Sequence, residues 1–397
     1  MIFRALAASL ALALSSSPGI AQGSATLWRV SDDGELFQAL QSSVSGDTIL
    51  LADGGYNPSV TISGKSLTLI GNGPATRLLN GFSVSDLSES QRVAFVNLEL
   101  LSPFYGADRR LTNNAGQVLF SGVRTEGGPK VLGPTTPGQF IITDSSDVVF
   151  ERSAIEGTAA LDSVFGSTLS PAEGMRVIDS TVWLYDSTVD GGGTSTLLIP
   201  GQDALQTSGD VHLRIVRSTL RGSDANLGSW GDGGNGIEVL DGNLSLRSQD
   251  TTLLGGSAGA ANPPGAPGVG LNDNGLPASE LPFLAPIARL ELPFSVNTGA
   301  TLSVELESEP NRVALAGFGF ASSPSSALPL PVHLGLPLQL LVLGTTTGRG
   351  TLQTSFTLAS FTPGVDVASV LVQAYTVDPV STSASTSNPA ALVILRP

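Results

Sequence analysis

The sequence predicts an all-β protein whose first part is a parallel β-helix and whose last part is a β-sandwich. A pattern that recurs five times between Leu111 and Gly255 indicates a solenoid. A composition with 47 glycines and 25 prolines, and no long helical pattern, favours strands and turns over helices. After residue 286 the repeat gives way to evenly spaced strand-like runs, which are typical of a sandwich.

Each copy of the repeat contains short alternating apolar positions and ends in a glycine. These glycines follow one another at intervals of 30 to 34 residues and are Gly127, Gly157, Gly191, Gly222 and Gly255. A second short strand, such as Met175–Ile178, mostly precedes the copy. Two short strands joined by a tight polar turn are the makeup of a parallel β-helix coil and not of a propeller blade.

The alternation within the copies predicts which side chains face the core. Val148 and Phe150 occupy columns that are apolar in the neighbouring copies, so we expect them to point inward. Val149, Trp183 and Arg214 occupy the intervening columns and are expected to face outward. A slip of one residue would invert both sets.

Two polar columns mark the turn at the end of the copy. The later column carries hydroxyl residues that we expect to bond the backbone of the turn, namely Ser153, Ser187, Ser218 and Thr251. The column before it alternates in charge and contains Arg152, Asp186, Arg217 and Asp250. This second column is either a solvated charge ladder or a set of acid and base groups for sugar chemistry.

The N-terminus has the features of a secretory signal peptide. Residues 1–21 combine the basic Arg4, the apolar run from Ala5 to Leu14 and small residues up to Ala21. The apolar run is too short for a membrane span, and no later stretch is long enough for one. We therefore expect an exported protein that is extracellular or held at the cell surface.

Charge and cysteine content exclude several classes of function. Loss of Arg4 with the signal peptide takes the net charge from −15 to −16, which disfavours nucleic acid and anionic membranes as partners. The same charge disfavours a polyanionic substrate unless a local basic patch or calcium compensates. The chain has no cysteine, so thiol nucleophiles, thiolate metal sites and disulfides are excluded.

A short capping helix is expected before the first coil. Asp32 and Glu35 have the spacing of a capping box, and Leu36 and Ala39 give the following residues one apolar face. A helix at this place would cover the open end of a solenoid.

The run from Leu36 to Gly73, with its Gly-Asp-Thr-Ile start at Gly46 and its Gly-Gly-Tyr turn, carries a family resemblance. It resembles the N-terminus of right-handed parallel β-helix proteins of the pectin lyase-like superfamily, and the similarity extends over roughly Ala25 to Gly259. The resemblance implies a right-handed helix of about seven coils. It leaves activity open, because the superfamily contains polysaccharide lyases, glycoside hydrolases, esterases, adhesins and surface proteins.

The catalytic patterns of that superfamily do not carry over. Its hydrolases pair several aspartates with Gly-His-Gly and Arg-x-Lys, whereas His212 and His333 stand in Val-His-Leu and no Arg-x-Lys exists. Its lyases place a basic residue beside a calcium ion, a role that Arg214 or Arg217 could fill formally. We therefore assign no catalytic residue, and whether the protein is an enzyme stays open.

One loop contains oxygen-bearing side chains at spacings that could suit calcium. Between Ser223 and Gly236 these are Asp224, Asn226, Asp232 and Asn235, together with Trp230. The Asp-x-Asp-x-Asp-Gly form of a calcium loop is absent, so we predict no metal site and no cofactor, with calcium as the open alternative.

The predicted boundaries divide the mature chain into three parts. Residues 22–255 form the β-helix, residues 256–286 form a linker because they are rich in glycine and proline without periodicity, and residues 287–397 form the β-sandwich. The last part resembles C-terminal modules of bacterial secreted proteins.

The leading functional hypothesis is an exported protein that binds a polysaccharide or a cell-surface glycan along the helix flank. Trp183 beside Arg214 offers a flat apolar surface with hydrogen-bond donors, which suits a sugar ring. The candidate ligand-binding residues are Trp183, Tyr185, Asp186, Arg214, Arg217 and Asp250. The alternatives are a polysaccharide lyase or glycoside hydrolase, and a structural spacer that presents the C-terminal part. The oligomeric state is left open.

Overall fold

The computed structural model describes most of the chain after residue 24. The described residues are 25–101, 109–126, 140–158, 161–162, 168–169, 172–193, 200–226, 231–260, 264–283, 285–319, 322–325, 332–334, 338–358, 361 and 365–397. The predicted signal peptide and Trp230 lie outside them.

The described part of the chain is all-β. Its single helix, α1, spans Asp33–Ser42. The strands before residue 284 are β1 (Leu27–Val30), β2 (Asp47–Leu51), β3 (Gly54–Tyr56), β4 (Val60–Ser63), β5 (Leu67–Ile70), β6 (Thr76–Leu78), β7 (Phe82–Ser85), β8 (Arg92–Val96), β9 (Glu99–Leu101), β10 (Arg109–Ser121), β11 (Arg124–Glu126), β12 (Phe140–Glu151), β13 (Ala154–Glu156), β14 (Leu161–Asp162), β15 (Thr168–Leu169), β16 (Met175–Ile178), β17 (Thr181–Tyr185), β18 (Thr188–Asp190), β19 (Leu205–Ser208), β20 (Asp210–Val216), β21 (Thr219–Arg221), β22 (Ile237–Val239), β23 (Asn243–Gln249), β24 (Thr252–Leu254), β25 (Leu271–Asn272) and β26 (Ala278–Pro282).

Successive repeats pair in parallel through like strands and form three ladders. The first ladder runs through β4, β7, β10, β12, β16, β19, β22 and β25. The second ladder runs through β1, β2, β5, β8, β10, β12, β17, β20, β23 and β26, because β10 and β12 are long enough to serve both. The third ladder has eight strands, from β3 to β24, against the about seven coils expected. We refer to one repeat of these strands as a coil.

The predicted register of the second ladder is confirmed. Phe150 pairs with Leu184, which pairs with Ile215, and all three side chains are buried between the ladders. Phe120 stacks on Phe150 with ring centroids 4.7 Å apart, so aromatic rings also follow the coil-to-coil stacking of the backbone. The inward columns therefore form one continuous core.

The residues of the two turn columns adopt the left-handed turn conformation or hydrogen-bond the turn backbone. Arg152, Asp186, Arg217 and Asp250 all adopt the left-handed conformation, with φ between 48° and 51°. Ser187 in the next column accepts a bond from the amide of Ser153 at 3.1 Å and donates one to the carbonyl of Tyr185 at 2.8 Å. The predicted hydroxyl ladder thus bonds the turn of its own coil and the turn of the preceding coil.

Helix α1 caps the first coil as predicted. Asp32 is its N-cap and accepts from the amide of Glu35 at 2.8 Å, while Leu36 and Ala39 are buried against the core. At the other end of the helix, Lys65 Nζ donates to the carbonyls of Leu40 and Ser43, both at 2.9 Å. Within the described residues no helix is long and apolar enough to cross a membrane.

The stretch predicted as a linker, residues 256–286, instead contains strands that continue the coils. β25 pairs with β22, and β26 pairs with β23, both in parallel. The glycines of this stretch allow close backbone packing, since a Cβ on Gly256 would lie 1.9 Å from the carbonyl oxygen of Ser223 and one on Gly268 would lie 2.0 Å from that of Gly234. The prediction of a linker at residues 256–286 does not hold for β25 and β26, because the glycines that interrupt the apolar periodicity serve close packing between coils.

Two larger sheets with a common apolar cluster, and one small two-stranded sheet, make up the C-terminal part, residues 285–397. Its strands are β27 (Arg289–Glu291), β28 (Ser295–Asn297), β29 (Thr301–Glu307), β30 (Val313–Gly319), β31 (Ser322–Ser325), β32 (Val332–Leu334), β33 (Leu338–Thr345), β34 (Thr351–Thr357), β35 (Val367–Val377) and β36 (Ala384–Leu395). The larger sheets have the orders β27-β29-β34 and β28-β36-β35-β30-β33, and β31 pairs with β32 in the small sheet. Apolar side chains of both sheets, such as Val304 and Val372, form a core separate from that of the coils.

The C-terminal part packs on the outer face of the second ladder. Leu119, Val149 and Val216 point away from the coil core, yet they are buried against residues such as Leu371 and Val393. The expectation that Val149 would be exposed is therefore wrong, although its outward direction is right.

Arginines reinforce this contact between the two parts. The guanidinium group of Arg152 lies 4.4 Å from the ring centroid of Phe294 and donates to the carbonyl of Leu292 at 3.0 Å. Arg92 donates to the carbonyl of Ser369 at 3.2 Å. The contact combines an apolar centre with directional hydrogen bonds.

Candidate functional site

The structure separates the six predicted binding residues into two groups. Trp183 is half-buried and lies directly beside Arg214 on the outer face of the second ladder. Tyr185 is fully buried, and its hydroxyl lies 3.1 Å from Nε2 of His333. Tyr185 lies on the same outer face as Trp183, but the C-terminal part covers it, so this predicted ligand-binding residue is not accessible.

Asp186 and Arg217 form part of the contact between the two parts of the chain. Arg217 makes two bonds to the Asp186 carboxylate, at 2.9 and 3.0 Å, and a third to the carbonyl of Ile287 at 2.8 Å. Arg289 adds a second cation at 3.4 Å from the same carboxylate. Asp250, the last predicted residue, is exposed and accepts a bond from Gln249 at 3.3 Å.

The open portion of the second ladder carries two rows of polar side chains. One row runs from Trp183 through Arg214 to Arg247, and the other runs from Thr181 through His212 to Ser245. We call these six residues the basic flank. Tyr185 and Val216, at the ends of β17 and β20, are covered by the C-terminal part, and the ring of His333 touches the edge of Trp183 with centroids 4.7 Å apart.

A cleft of about 470 Å³ opens along the basic flank. Its lining includes His212, Ser245, Asp210, Asn243 and Ser279. Hydroxyl, amide and imidazole groups thus line the cleft together with the apolar Leu244 and Pro277, and Trp183 lies outside the lining, in the adjacent row of the flank. Such a mixture of a flat apolar surface and hydrogen-bonding groups can bind a sugar ring.

The electrostatics of the basic flank are set by burial and by like charges. Loss of hydration lowers the pKa of Arg214, and the neighbouring charge of Arg247 lowers it further. Burial also lowers the pKa of His212, with a contribution from Arg214 in the same direction and an opposing one from Asp210. The flank is a local concentration of positive charge in a chain of net charge −15.

A second polar cluster, which sequence reasoning missed, lies on the outer face of the first ladder. Gln206 Nε2 donates to Oδ2 of Asp203 at 2.8 Å and to Oε2 of Glu238 at 3.3 Å. Burial raises the pKa of Glu238 to about 7, and its hydrogen bond and charge interaction with Asp203 act in the same direction. The signal in the sequence was the polar column Arg176, Gln206 and Glu238, which the ladder register places side by side.

The raised pKa of Glu238 predicts a pH-dependent stability difference. Because the folded-state pKa lies above the ordinary value of 4.5, the stabilising contribution of the protonated carboxyl is complete below pH 4.5 and is lost as the pH rises through about 7. Glu238→Gln should therefore raise the free energy of unfolding at pH 8, by about 1 kcal/mol after allowance for solvent screening, and should change it little at pH 4. Chemical denaturation at both pH values measures this, with the exposed Glu280→Gln as control. An equal gain at pH 4 and pH 8 would contradict the prediction.

The described residues contain no group of three or more His, Cys, Asp or Glu side chains that could hold a metal ion. In the loop considered for calcium, the Asp224 and Asp232 carboxylates each accept a backbone amide of the next coil, from Ser257 and Ala266, both at 2.6 Å. These bonds give the two aspartates a structural role between coils.

Comparison with known proteins assigns no family. No family model matches the chain, and no curated protein matches it. Among solved structures, a superoxide reductase (neelaredoxin) from Ignicoccus hospitalis matches 28% of this chain and 80% of its own, with 13% identity and a TM-score of 0.17. A variant of it matches 27% of this chain and 79% of its own, with 10% identity and a TM-score of 0.16. TM-scores of this size carry no argument about fold or function.

Proposed function

We propose that this chain is an exported extracellular or cell-surface protein that binds glycan at the basic flank. In this proposal the parallel coils are a right-handed β-helix of the pectin lyase-like type, and the C-terminal part is a β-sandwich. The observation that carries the functional proposal is the half-buried Trp183 in register with Arg214, on a face whose adjacent row, His212 and Ser245, lines an open cleft.

The chemistry of the flank supports a sugar as the ligand. One face of a sugar ring is apolar and packs on an indole, while its hydroxyls require donors and acceptors at the rim of the site. His212, Ser245 and Asn243 supply such groups in the cleft. The ring of Trp183 is held in place by its stacking on Tyr185, with centroids 6.0 Å apart, so that little ordering is needed on binding.

Replacement of Trp183 tests the proposal. In affinity electrophoresis, a gel with a polysaccharide that retains the unaltered protein should retain Trp183→Ala only weakly or not at all. The free energy of unfolding of this variant should fall by about 1–2 kcal/mol, because the indole also packs on Tyr185 and His333. Trp28→Ala is the matched control, since Trp28 is also half-buried but lies on β1, at the far end of the second ladder. Retention that is unchanged in Trp183→Ala, or lost equally in Trp28→Ala, would count against a site at the basic flank.

A polysaccharide lyase or glycoside hydrolase is the second candidate function. It is supported by Asp203 and Glu238, two carboxyl groups bound to the same amide, one of which has its pKa raised to about 7. A pair in which one carboxyl is protonated near neutral pH can supply a general acid and a base.

Incubation with a panel of acidic and neutral polysaccharides tests this second function. New reducing ends or unsaturated products should appear with the unaltered protein and should be lost in Asp203→Asn and Glu238→Gln. The control is Asp53→Asn, because Asp53 is exposed in the turn between β2 and β3 and belongs to neither candidate site. Products that persist in both variants would remove the pair from any catalytic role.

A further inference from the structure

Strand β33 of the C-terminal part is an edge strand without a charged side chain. It spans Leu338–Thr345 and, within the described residues, pairs with β30 alone. A register shift at Leu343 separates residues 338–342, which pair regularly, from the rest of the strand. The free N–H and C=O groups of an edge strand invite pairing with another strand, and native sheets normally blunt such edges with charges, prolines or a covering segment.

The side chains of β33 are apolar on both faces of the sheet. Leu341 and Leu343 are buried in the core of the C-terminal part. Leu340 and Val342 point to the opposite face and are 58% and 46% exposed. Apolar residues on both faces are typical of a strand inside a sheet whose two faces are covered, and not of an edge that faces water.

The exposed face of β33 continues the face by which this sheet packs on the coils. Val342 is aligned with Leu315 of β30, and Leu315 is aligned with Tyr375 of β35. Tyr375 packs against the apolar cluster between the two parts of the chain, and Leu315 is half-buried. The apolar face therefore extends from an established contact to a strand whose outer edge has no strand partner in the described part of the chain.

The distribution of charge favours a second copy of this chain as the partner. Residues 313–348 contain no Asp, Glu, Lys or Arg, in a chain with 34 acidic and 19 basic side chains. Two copies with a net charge of −15 each repel one another least where they meet through such a surface, and a partner recognised by its charge finds no counter-charge there. By contrast, the edge strand β28 has three residues, and the edge strand β27 carries the ion pair of Arg289 and Glu291.

We infer that β33 pairs antiparallel with β33 of a second copy, which joins the two five-stranded sheets into one continuous sheet. A twofold axis at Leu340, the midpoint of residues 338–342, places Leu340 of one copy directly opposite Leu340 of the other. A contact of this kind uses the same residues of both copies, and the pairing satisfies the free N–H and C=O groups of both edges. This dimer does not depend on whether the basic flank binds a glycan.

Size-exclusion chromatography with light scattering, over a concentration series of the full chain, tests the inference. We expect a dimer for the unaltered protein. The dissociation constant of Leu340→Lys should be about tenfold or more higher, because like charges would lie directly opposite one another. Leu281→Lys is the matched control, since Leu281 is 48% exposed on β26, and it should leave the dimer unchanged. An unaltered protein that is monomeric throughout the series, or equal dissociation constants for the two lysine variants, would overturn the proposal.

Disulfide cross-linking tests the register of the pairing without adding a charge. The chain has no cysteine, so Leu340→Cys carries a single thiol. Directly opposite residues of antiparallel strands have Cα atoms about 4.5–5.5 Å apart, within the range of about 4.4–6.8 Å that a disulfide spans, so mild oxidation should give a covalent dimer. Val342→Cys is the matched control, because the two Val342 residues are about 14 Å apart in this register and should stay unlinked. No cross-link in Leu340→Cys, or equal cross-linking of the two variants, would rule out the twofold axis at Leu340.

Discussion

Replacement of Phe150 by alanine is expected to cost about 3–5 kcal/mol of folding free energy, the largest effect of any single change considered for the coils. Phe150 is fully buried and stacks on Phe120 at 4.7 Å, which in turn stacks on Phe95 at 5.2 Å. Phe140 closes the cluster with an edge contact to Phe150 at 5.3 Å. Removing one ring therefore leaves a cavity between coils whose own positions are fixed by backbone pairing on both sides.

Chemical denaturation measures this cost, and protease resistance shows where the damage falls. Because each coil contacts mainly its neighbours, we expect loosening to concentrate in the coils around β12. Phe37→Ala is the matched control, since Phe37 is 56% exposed on α1 and should lose little stability. Equal denaturation midpoints for Phe150→Ala and the unaltered protein would contradict the assigned packing.

His333→Ala should cost about 3 kcal/mol or more, because it removes the partner of a buried carboxylate. His333 and Asp147 are both fully buried between the two parts of the chain, and Nδ1 of the histidine lies 3.3 Å from Oδ1 of the aspartate. Without the imidazole, the carboxylate retains the bond from Gln117 at 2.7 Å. The Tyr185 hydroxyl also loses its contact with Nε2.

The second histidine of the chain provides the control for this prediction. His212 is exposed on the basic flank, so His212→Ala should change the free energy of unfolding by less than about 0.5 kcal/mol. Asp147→Asn in the His333→Ala background should recover part of the loss, because an amide is less costly to bury than a carboxylate. Equal effects of the two histidine variants in chemical denaturation would disprove the pairing of His333 with Asp147.

The coil register could be predicted from the sequence because it is a local property of the repeat. Alternation in a single copy does not decide which face of the strand points to the core. Apolar residues recur in the column of Phe150, Leu184 and Ile215, however, and parallel pairing of the coils places the residues of one column side by side. The capping helix was predictable for the same reason, since Asp32 and Glu35 act within one turn of chain.

The covered face could not be deduced from alternation alone. Leu119, Val149 and Val216 are apolar at positions that point away from the coil core, and continuous apolar runs are typical of strands buried on both faces. These apolar runs were visible in the sequence, but the C-terminal residues that cover them, such as Leu371 and Val393, lie more than 100 residues later in the chain. Tyr185 was assigned to the surface for this reason, and only the tertiary contact with His333 corrects it.

The candidate site was predictable only in part. Trp183 and Arg214 were identified as neighbours because ladder register follows from the repeat. The cluster of Asp203 and Glu238 was missed because it joins a strand residue to a residue of the preceding loop, and loops vary in length between copies.

The position of the C-terminal part also determines how such a chain can change length over evolution. Duplication of one coil extends a solenoid by a unit that matches its neighbours on both sides. Beneath the C-terminal part, an added coil would shift Arg152 relative to Phe294 and Arg217 relative to Ile287. The contacts between the later coils and the C-terminal part would then no longer align. Along the row of His212 and Ser245, which lines a cleft, a duplicated coil would lengthen the basic flank itself. Repeat number is thus constrained under the cover and free to vary where ligand is proposed to bind.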